Sequence, residues 1–250
     1  MKPFHPEINL FFNALVFFTR LPAPKGVDFS DANLSRASRY FPLVGLLIGI
    51  IAALVWWLTA QLFDSTLAVL FSMLSTLLIT GAFHEDGLAD CADGFGGGWQ
   101  KQQILQIMKD SRIGSYGAIA LVMILLFKFA TLDQLLYPMM ALILAHPLSR
   151  LAAVSIVHLD TYVRDSGTSK VQSAARQIEF GSLIIAALPV LLVLLVMADL
   201  QIWLVLLPVI IVTQLCRWYF NRRLGGYTGD CLGTCQQLTE LSVYLWFCLI

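Results

Sequence analysis

The chain has 250 residues and a formal net charge of zero, and 58% of its residues are hydrophobic while only 13% are charged. An ordinary soluble domain has about 25% charged residues, so the composition excludes a typical soluble protein, and a neutral chain gives no indication of nucleic-acid binding. We predict an all-α polytopic membrane protein, with a single integral-membrane domain over residues 1–250.

Residues 7–18 form the first apolar segment, which is too short to cross a bilayer because a transmembrane helix needs about 17–25 residues. We predict an N-terminal amphipathic helix that lies at the membrane interface. Glu7 and Asn9 interrupt the segment and no small-residue cleavage site follows it, so it does not resemble a cleaved signal peptide.

Later segments approach the length of a membrane span and predict about seven transmembrane helices: 40–63, 66–83, 115–130, 135–157, 182–198, 202–220 and 238–250, the last being short enough for a partial span. The turns near Asp64, Asp133 and 199–201 contain no lysine or arginine. Nearly all basic residues lie in the other loops: Arg20, Lys25, Arg36, Arg39, Lys101, Lys109, Arg112, Arg164, Lys170, Arg176, Arg222 and Arg223. The positive-inside rule therefore places these polar loops in the cytoplasm.

The densest polar cluster follows the second predicted span and reads His84-Glu85-Asp86-Gly87-Leu88-Ala89-Asp90-Cys91-Ala92-Asp93-Gly94. On a helix, Asp86, Asp90 and Asp93 lie on one face within an arc of about 60°. Carboxylates this close repel one another unless a cation neutralises them, and oxygen ligands favour Mg²⁺ or Mn²⁺ over zinc. We predict a Mg²⁺ site at these aspartates, with His84 as a nearby catalytic or substrate-binding group. The alternative is a solvated acidic helix end.

Two further motifs lie in polar loops of the same set. Residues 101–108 predict a short helix on the membrane surface, followed by Lys109, Asp110 and Arg112, whose cations suit phosphate binding or simply flank a span. Gly226, Thr228 and Asp230 lie in a glycine-rich turn whose backbone can approach an anion closely. Together these motifs are typical of a transferase that acts on phosphate esters, with alcohol phosphotransferases and prenyltransferases as the two natural classes.

Ionisable residues and cysteines within the apolar segments need a separate interpretation. Arg150 is a candidate substrate-binding residue, because an arginine inside a membrane span is a functional-site hypothesis, although snorkelling to the surface explains it equally well. Lys128 is interpreted as snorkelling at the outer end of its span. The five cysteines are interpreted as small reduced thiols, since Cys231 and Cys235 alone make a weak metal motif.

Three motifs together resemble the cobalamin synthase family: H-x-D-G-L-A-D-x-x-D-G at 84–94, I-M-K-D-S-R-I-G at 107–114 and G-G-x-T-G-D at 225–230. Further family positions match in the same order at 19–24, 40–45 and 149–150, so the resemblance spans nearly the whole chain. It implies a Mg²⁺-dependent enzyme of the bacterial cytoplasmic (inner) membrane. The implied reaction joins adenosylcobinamide-GDP to α-ribazole or its 5′-phosphate, giving adenosylcobalamin or its phosphate, and releases GMP.

The resemblance also suggests roles for the residues. Asp86, Asp90 and Asp93 would hold Mg²⁺ against the diphosphate, and either Asp110 or Asp230 would complete that sphere or accept the hydroxyl proton. The cations expected to bind phosphate oxygens are Arg112, Lys109 and Arg20. Glu85 departs from the apolar residue expected at its place and points about 100° away from Asp86 on an ideal helix, so we leave it out of the metal site.

Two other functions stay as alternatives at the level of sequence. A CDP-alcohol phosphotransferase of phospholipid synthesis would need an Ala-Arg pair that begins where Asp90 stands, and the later half of its motif is missing. A corrinoid or metal transporter would show charges at the bilayer midplane and paired broken helices, which are not evident. We expect small-molecule substrates and the lipid bilayer as partners and no nucleic acid, and we leave a homo-oligomer open.

Overall fold

The computed structural model describes residues 4–163 and 179–250, and these residues form helices, loops and one isolated β-bridge. The helices are α1 (Pro6–Phe18), α2 (Asp31–Ala37), α3 (Phe41–Thr59), α4 (Ser65–Thr80), α5 (Phe83–Gly97), α6 (Lys101–Ile107), α7 (Ser115–Gln134), α8 (Pro138–Leu159), α9 (Phe180–Met197), α10 (Leu200–Trp203), α11 (Leu206–Leu224) and α12 (Gly229–Phe247). The basic residues Arg164, Lys170 and Arg176 lie outside the described residues.

The all-α polytopic prediction is confirmed, and each of the seven predicted spans overlaps a helix. By length and composition, five helical segments of the described chain can cross a membrane: Ala32–Thr59, Ser115–Gln134, Pro138–Leu159, Phe180–Met197 and Leu200–Leu224. A sixth is obtained when α4 and α5 count as one bent span. The seventh predicted span corresponds to α12, which begins well before residue 238 and buries polar side chains such as Gln236 and Glu240.

The second predicted span ends earlier than expected, at a sharp bend. Gly81 (φ 66°) and Ala82 (φ 56°) both adopt left-handed backbone conformations, and α5 leaves α4 at an angle of 85°. Glycine tolerates this conformation because it has no Cβ, which explains Gly81 at the end of α4. The acidic motif therefore occupies a helix of its own, which is bent away from the axis of α4.

Glycines bring α3 and α8 into close contact. A Cβ placed on Gly45 would lie 2.5 Å from the His146 carbonyl oxygen, and one on Gly49 would lie 2.7 Å from the Leu142 carbonyl oxygen. Small residues four positions apart allow membrane helices to pack backbone against backbone. The side chain of Arg150, one turn after His146, is held against Gly45 by this packing.

The N-terminal segment is helical as predicted and packs on the protein. Asn9 and Asn13 donate side-chain hydrogen bonds to the Asp28 carbonyl oxygen at 3.0 and 2.9 Å, which fastens the following loop along α1. Leu10 and Phe18 of the same helix are buried. Its position at a membrane interface stays a prediction.

Backbone and side-chain hydrogen bonds connect the described polar loops at one end of the bundle. They join Arg20 N to Ile79 O (2.7 Å), Arg223 Nη2 to Gly98 O (2.7 Å) and Tyr227 N to Thr161 O (3.0 Å). At the other end, the indole of Trp246 donates to the Gln201 carbonyl oxygen over 2.9 Å. The loop sequences with the predicted site residues are therefore neighbours in space.

Candidate active site

Helix α5 carries all three predicted metal ligands, so the expected common face for Asp86, Asp90 and Asp93 exists. Their exposure differs along the helix: Asp86 is exposed, Asp90 is half-buried and Asp93 is buried. The acidic face therefore begins at the surface and ends inside the protein.

Asp93 has a structural partner that its sequence position did not reveal. Its Oδ2 accepts the Gly114 backbone N–H over 2.7 Å, and its Oδ1 accepts the Gly117 N–H over 2.9 Å. These are N–H groups at the start of α7, which have no partner within that helix. Asp93 thus fastens the 109–114 loop to α5. Each carboxylate oxygen keeps a second lone pair, so its role as a Mg²⁺ ligand stays a prediction.

Changing Asp93 to asparagine separates these two roles. We expect the free energy of unfolding in detergent with EDTA to fall by about 1–2 kcal/mol, because the amide keeps only one acceptor oxygen and loses the charge that favours a helix N-terminus. Asp110→Asn is the control and should leave stability nearly unchanged, since its ion pair is solvent-exposed. If Asp93→Asn has wild-type stability in EDTA and loses only stabilisation by Mg²⁺, the capping role is wrong.

The glycine-rich motif meets α5 through two close backbone contacts. A Cβ on Gly87 would lie 3.1 Å from the Asp230 Cα, and one on Gly233 would lie 3.1 Å from the His84 carbonyl oxygen. Thr234 Oγ1 also donates to the Gly87 carbonyl oxygen over 3.2 Å. Asp230, which is half-buried, is therefore held beside the part of α5 that carries Asp86.

Cysteines of the two helices also meet. Cys91 Sγ and Cys231 Sγ are 3.9 Å apart, and every cysteine of the chain is a free thiol. All except Cys248 are buried. The interpretation of the cysteines as reduced thiols is therefore consistent with the structure.

Two residues that the sequence predicts to bind substrate, Thr228 and Gly226, also have structural roles. Thr228 is fully buried and caps α12, since its Oγ1 accepts the Cys231 N–H over 3.3 Å. Gly226 has φ 156°, and a Cβ there would overlap the Thr161 carbonyl oxygen, so glycine is required for the contact between this loop and residues 161–163. Substrate contacts by these residues stay predictions.

The 109–114 loop presents its charges to solvent. Arg112 Nη2 and Asp110 Oδ2 form an exposed ion pair at 2.7 Å, and Lys109 is also exposed. The hydrogen bonds from Arg112 lower the pKa of Asp110 and, in return, raise the pKa of Arg112. A general base works best with a pKa near the pH of the reaction, so this pairing disfavours Asp110 as the proton acceptor.

Arg20 lies close to the start of the acidic helix. Its guanidinium packs against Gly81 at the bend between α4 and α5, where a Cβ would come within 2.5 Å of the Arg20 Nε. The residue is exposed, so its charge is available at the end of the bundle where Asp86 is also exposed. This position is compatible with phosphate binding by Arg20, which stays a prediction.

His84 and Arg150 share an apolar pocket that opens to the surface. His84 is buried and stacks on Phe18, with ring centroids 5.3 Å apart. Arg150 is only 2% exposed and donates from Nη1 to the His146 carbonyl oxygen over 2.9 Å. Since it is held inside the bundle, the alternative that Arg150 snorkels to the surface is wrong.

The structure also contains a buried polar cluster that the sequence does not predict. Lys128 Nζ and Glu240 Oε1 form an ion pair at 2.7 Å, although Lys128 was expected to snorkel. Glu240 also accepts the Tyr244 hydroxyl over 3.1 Å, and Gln237 donates to Glu85 over 2.9 Å. Glu240 falls inside the seventh predicted span, and a carboxylate in such a segment indicates a cationic partner.

The donor chemistry around Asp86 suits a hard divalent cation. Asp86 and Asp90 lie one turn apart on α5, Asp230 lies against Gly87, and all three offer carboxylate oxygens, which Mg²⁺ prefers. Within residues 4–163 and 179–250, no three His, Cys, Asp or Glu side chains are already close enough together to hold a metal ion. The residues fit Mg²⁺ by type, and binding would require their side chains to converge.

Comparisons with known proteins agree with these motifs. The model of the family described as cobalamin-5-phosphate synthase matches residues 10–248. A Shewanella amazonensis protein named adenosylcobinamide-GDP ribazoletransferase is 47% identical and aligns over 100% of this chain and 98% of its own length. Proteins with that name from Shewanella oneidensis and Shewanella frigidimarina are 48% and 46% identical, over 97% and 96% of this chain and 95% and 94% of their own lengths. No solved structure matches the chain. The chain belongs to the cobalamin-5-phosphate synthase family.

Proposed function

We propose that the chain is an adenosylcobinamide-GDP ribazoletransferase. The observation that carries this proposal is the full-length similarity to relatives of that name, at 46–48% identity. The packing of Asp230 against Gly87 supports it, because residues from two distant motifs of the family meet at one place. Neither a CDP-alcohol phosphotransferase nor a transporter has comparable support.

The proposed reaction is a displacement at phosphorus. A ribose hydroxyl of α-ribazole, or of its 5′-phosphate, forms a bond to the phosphorus on the cobinamide side of the diphosphate. The bond from that phosphorus to the bridging oxygen breaks, and GMP leaves with the electron pair. The hydroxyl proton goes to a carboxylate, for which we favour Asp230 because it packs against Gly87 of α5, whereas Asp110 lies in the exposed 109–114 loop as the partner of Arg112.

Positive charge must be supplied to the diphosphate in this step. Arg20, Lys109 and Arg112 are exposed in the polar loops and are proposed to bind phosphate oxygens. Mg²⁺ is the proposed cofactor, which Asp86, Asp90 and Asp93 would hold, and when bound it would neutralise charge on the diphosphate oxygens. Asp93 contributes in any case by fixing the loop that carries the two cations.

We also propose that the site faces the cytoplasm from the inner membrane. The described polar loops lie at the same end of the bundle as α5, and they carry most of the basic residues. The positive-inside rule supports a cytoplasmic position for such loops. Substrates made in the cytoplasm would then reach the exposed Asp86 without crossing the bilayer.

The decisive experiment is an assay of the purified protein in detergent. Adenosylcobinamide-GDP, α-ribazole 5′-phosphate and Mg²⁺ are supplied, and the release of GMP is measured together with formation of cobalamin phosphate. We expect equal amounts of both products, and loss of both when EDTA replaces Mg²⁺. A folded sample that releases no GMP would show that the proposed function is wrong. Turnover of a CDP-alcohol with a second alcohol would favour the alternative.

A further inference from the structure

The pocket beside His84 has an unusual wall for a site that handles phosphates. Four phenylalanines, Phe17, Phe18, Phe41 and Phe83, line it together with small aliphatic residues of α8, and its polar side chains are His84, Arg150 and Gln236. Rings that lie around an opening favour flat apolar ligands, because such ligands can stack or meet ring edges. The wall is poorly suited to a diphosphate.

One hydrogen-bond donor in this wall lacks a partner. Arg150 is 2% exposed, and although its Nη1 is bonded to His146, its Nε has no hydrogen-bond partner among the described residues. A buried N–H without an acceptor is costly, so such groups commonly receive a ligand or a water. The pocket therefore favours an apolar ring system with an acceptor that the Arg150 side chain could reach by turning toward it.

We infer that this pocket binds the benzimidazole base of α-ribazole, stacked near Phe18 and His84, with its free ring nitrogen accepting from Arg150. This inference rests on the proposed function. The dimethylated base is flat and apolar, and its one unsubstituted ring nitrogen is its only acceptor. Guanine presents several donors and acceptors, which need more partners than His84, Arg150 and Gln236 supply.

The location of the pocket agrees with this assignment. Gly229 and Gly233 of α12 belong to its wall, as does His84 of α5. Gly229 directly precedes Asp230, which packs against Gly87, one turn after His84 on α5. A base held in the pocket would therefore leave its ribose close to Asp230, the carboxylate that is proposed to accept the hydroxyl proton.

Filling the pocket tests the inference. Ala153 lines it from α8, so Ala153→Phe should raise KM for α-ribazole at least about tenfold, while KM for adenosylcobinamide-GDP changes less than about twofold. Leu159→Phe is the control, because Leu159 is on the same helix, is 52% exposed and does not line the pocket. An unchanged KM for α-ribazole in Ala153→Phe, with an active wild type, overturns the pocket assignment and leaves the proposed function intact.

A binding measurement with EDTA keeps the test independent of turnover. The probes are free 5,6-dimethylbenzimidazole and inorganic phosphate, each titrated into wild type and Ala153→Phe. We expect the base to bind wild type and to bind the variant at least about tenfold more weakly, even if wild type shows no transferase activity. Equal binding of the base to both proteins, or competition for α-ribazole 5′-phosphate by phosphate but not by the base, overturns the inference.

Discussion

Replacing Asp86 with asparagine is expected to lower kcat/KM at least about 100-fold, a loss of roughly 2.7 kcal/mol of transition-state stabilisation. Removing a residue that only hydrogen-bonds to a metal ligand already lowers metal affinity or activity about 10–100-fold. Asp86 is proposed to be a ligand itself, so we expect a loss at the upper end of that range or beyond it. The side chain is exposed, and within the described chain it makes no side-chain hydrogen bond or ion pair. Asparagine keeps its shape, so the folded protein should retain its stability.

The measurement is initial GMP release at several Mg²⁺ concentrations, together with thermal unfolding in detergent. The variant should need more Mg²⁺ for half of its maximal rate, which distinguishes a metal ligand from a residue that only binds substrate. Asp199→Asn provides the control, because Asp199 is an exposed aspartate that lies in a turn away from α5. A wild-type rate in Asp86→Asn would remove Asp86 from the proposed metal site and leave the family assignment unchanged.

The helical architecture and the acidic face were accessible from sequence because both depend on local periodicity. Apolar segments of sufficient length predict spans, and the spacing of Asp86, Asp90 and Asp93 predicts a common face, which α5 provides. The sequence does not predict the bend after α4, because the residue type glycine does not reveal which backbone conformation that residue adopts. Gly81 ends the span, and the acidic motif becomes a separate helix.

The roles of individual site residues were less accessible because they depend on contacts between distant segments. Asp93 accepts hydrogen bonds from Gly114 and Gly117, whose positions follow from how α7 packs against α5. The sequence predicts that Gly226 allows close approach of an anion, whereas the structure requires a glycine there for contact with the Thr161 carbonyl. The sequence shows which residue types occur and at what spacing, whereas the fold determines which residues are in contact.

The buried ion pair between α7 and α12 is expected to contribute strongly to the stability of the protein. Lys128→Met should lower the free energy of unfolding by about 3 kcal/mol, because it leaves the Glu240 carboxylate, 4% exposed, without its cation. Hydrogen bonds between membrane helices are worth only about 0.6 kcal/mol on average. The larger value applies here because the carboxylate loses its ion-pair partner, and the hydrogen bonds from Tyr244 and Gln236 replace only part of the lost interaction.

The double variant Lys128→Met/Glu240→Gln tests this explanation, since it removes both charges from the interior. Replacing a whole buried pair is often neutral, so we expect the double variant to recover at least about 2 kcal/mol relative to Lys128→Met. Unfolding in detergent, followed by circular dichroism, measures all three proteins and Glu240→Gln. If the losses of the two single variants simply add in the double variant, the pair is not coupled and the stability of this region comes from apolar packing. Recovery would instead show that α7 and α12 are fastened by one ion pair behind the wall that holds Arg150.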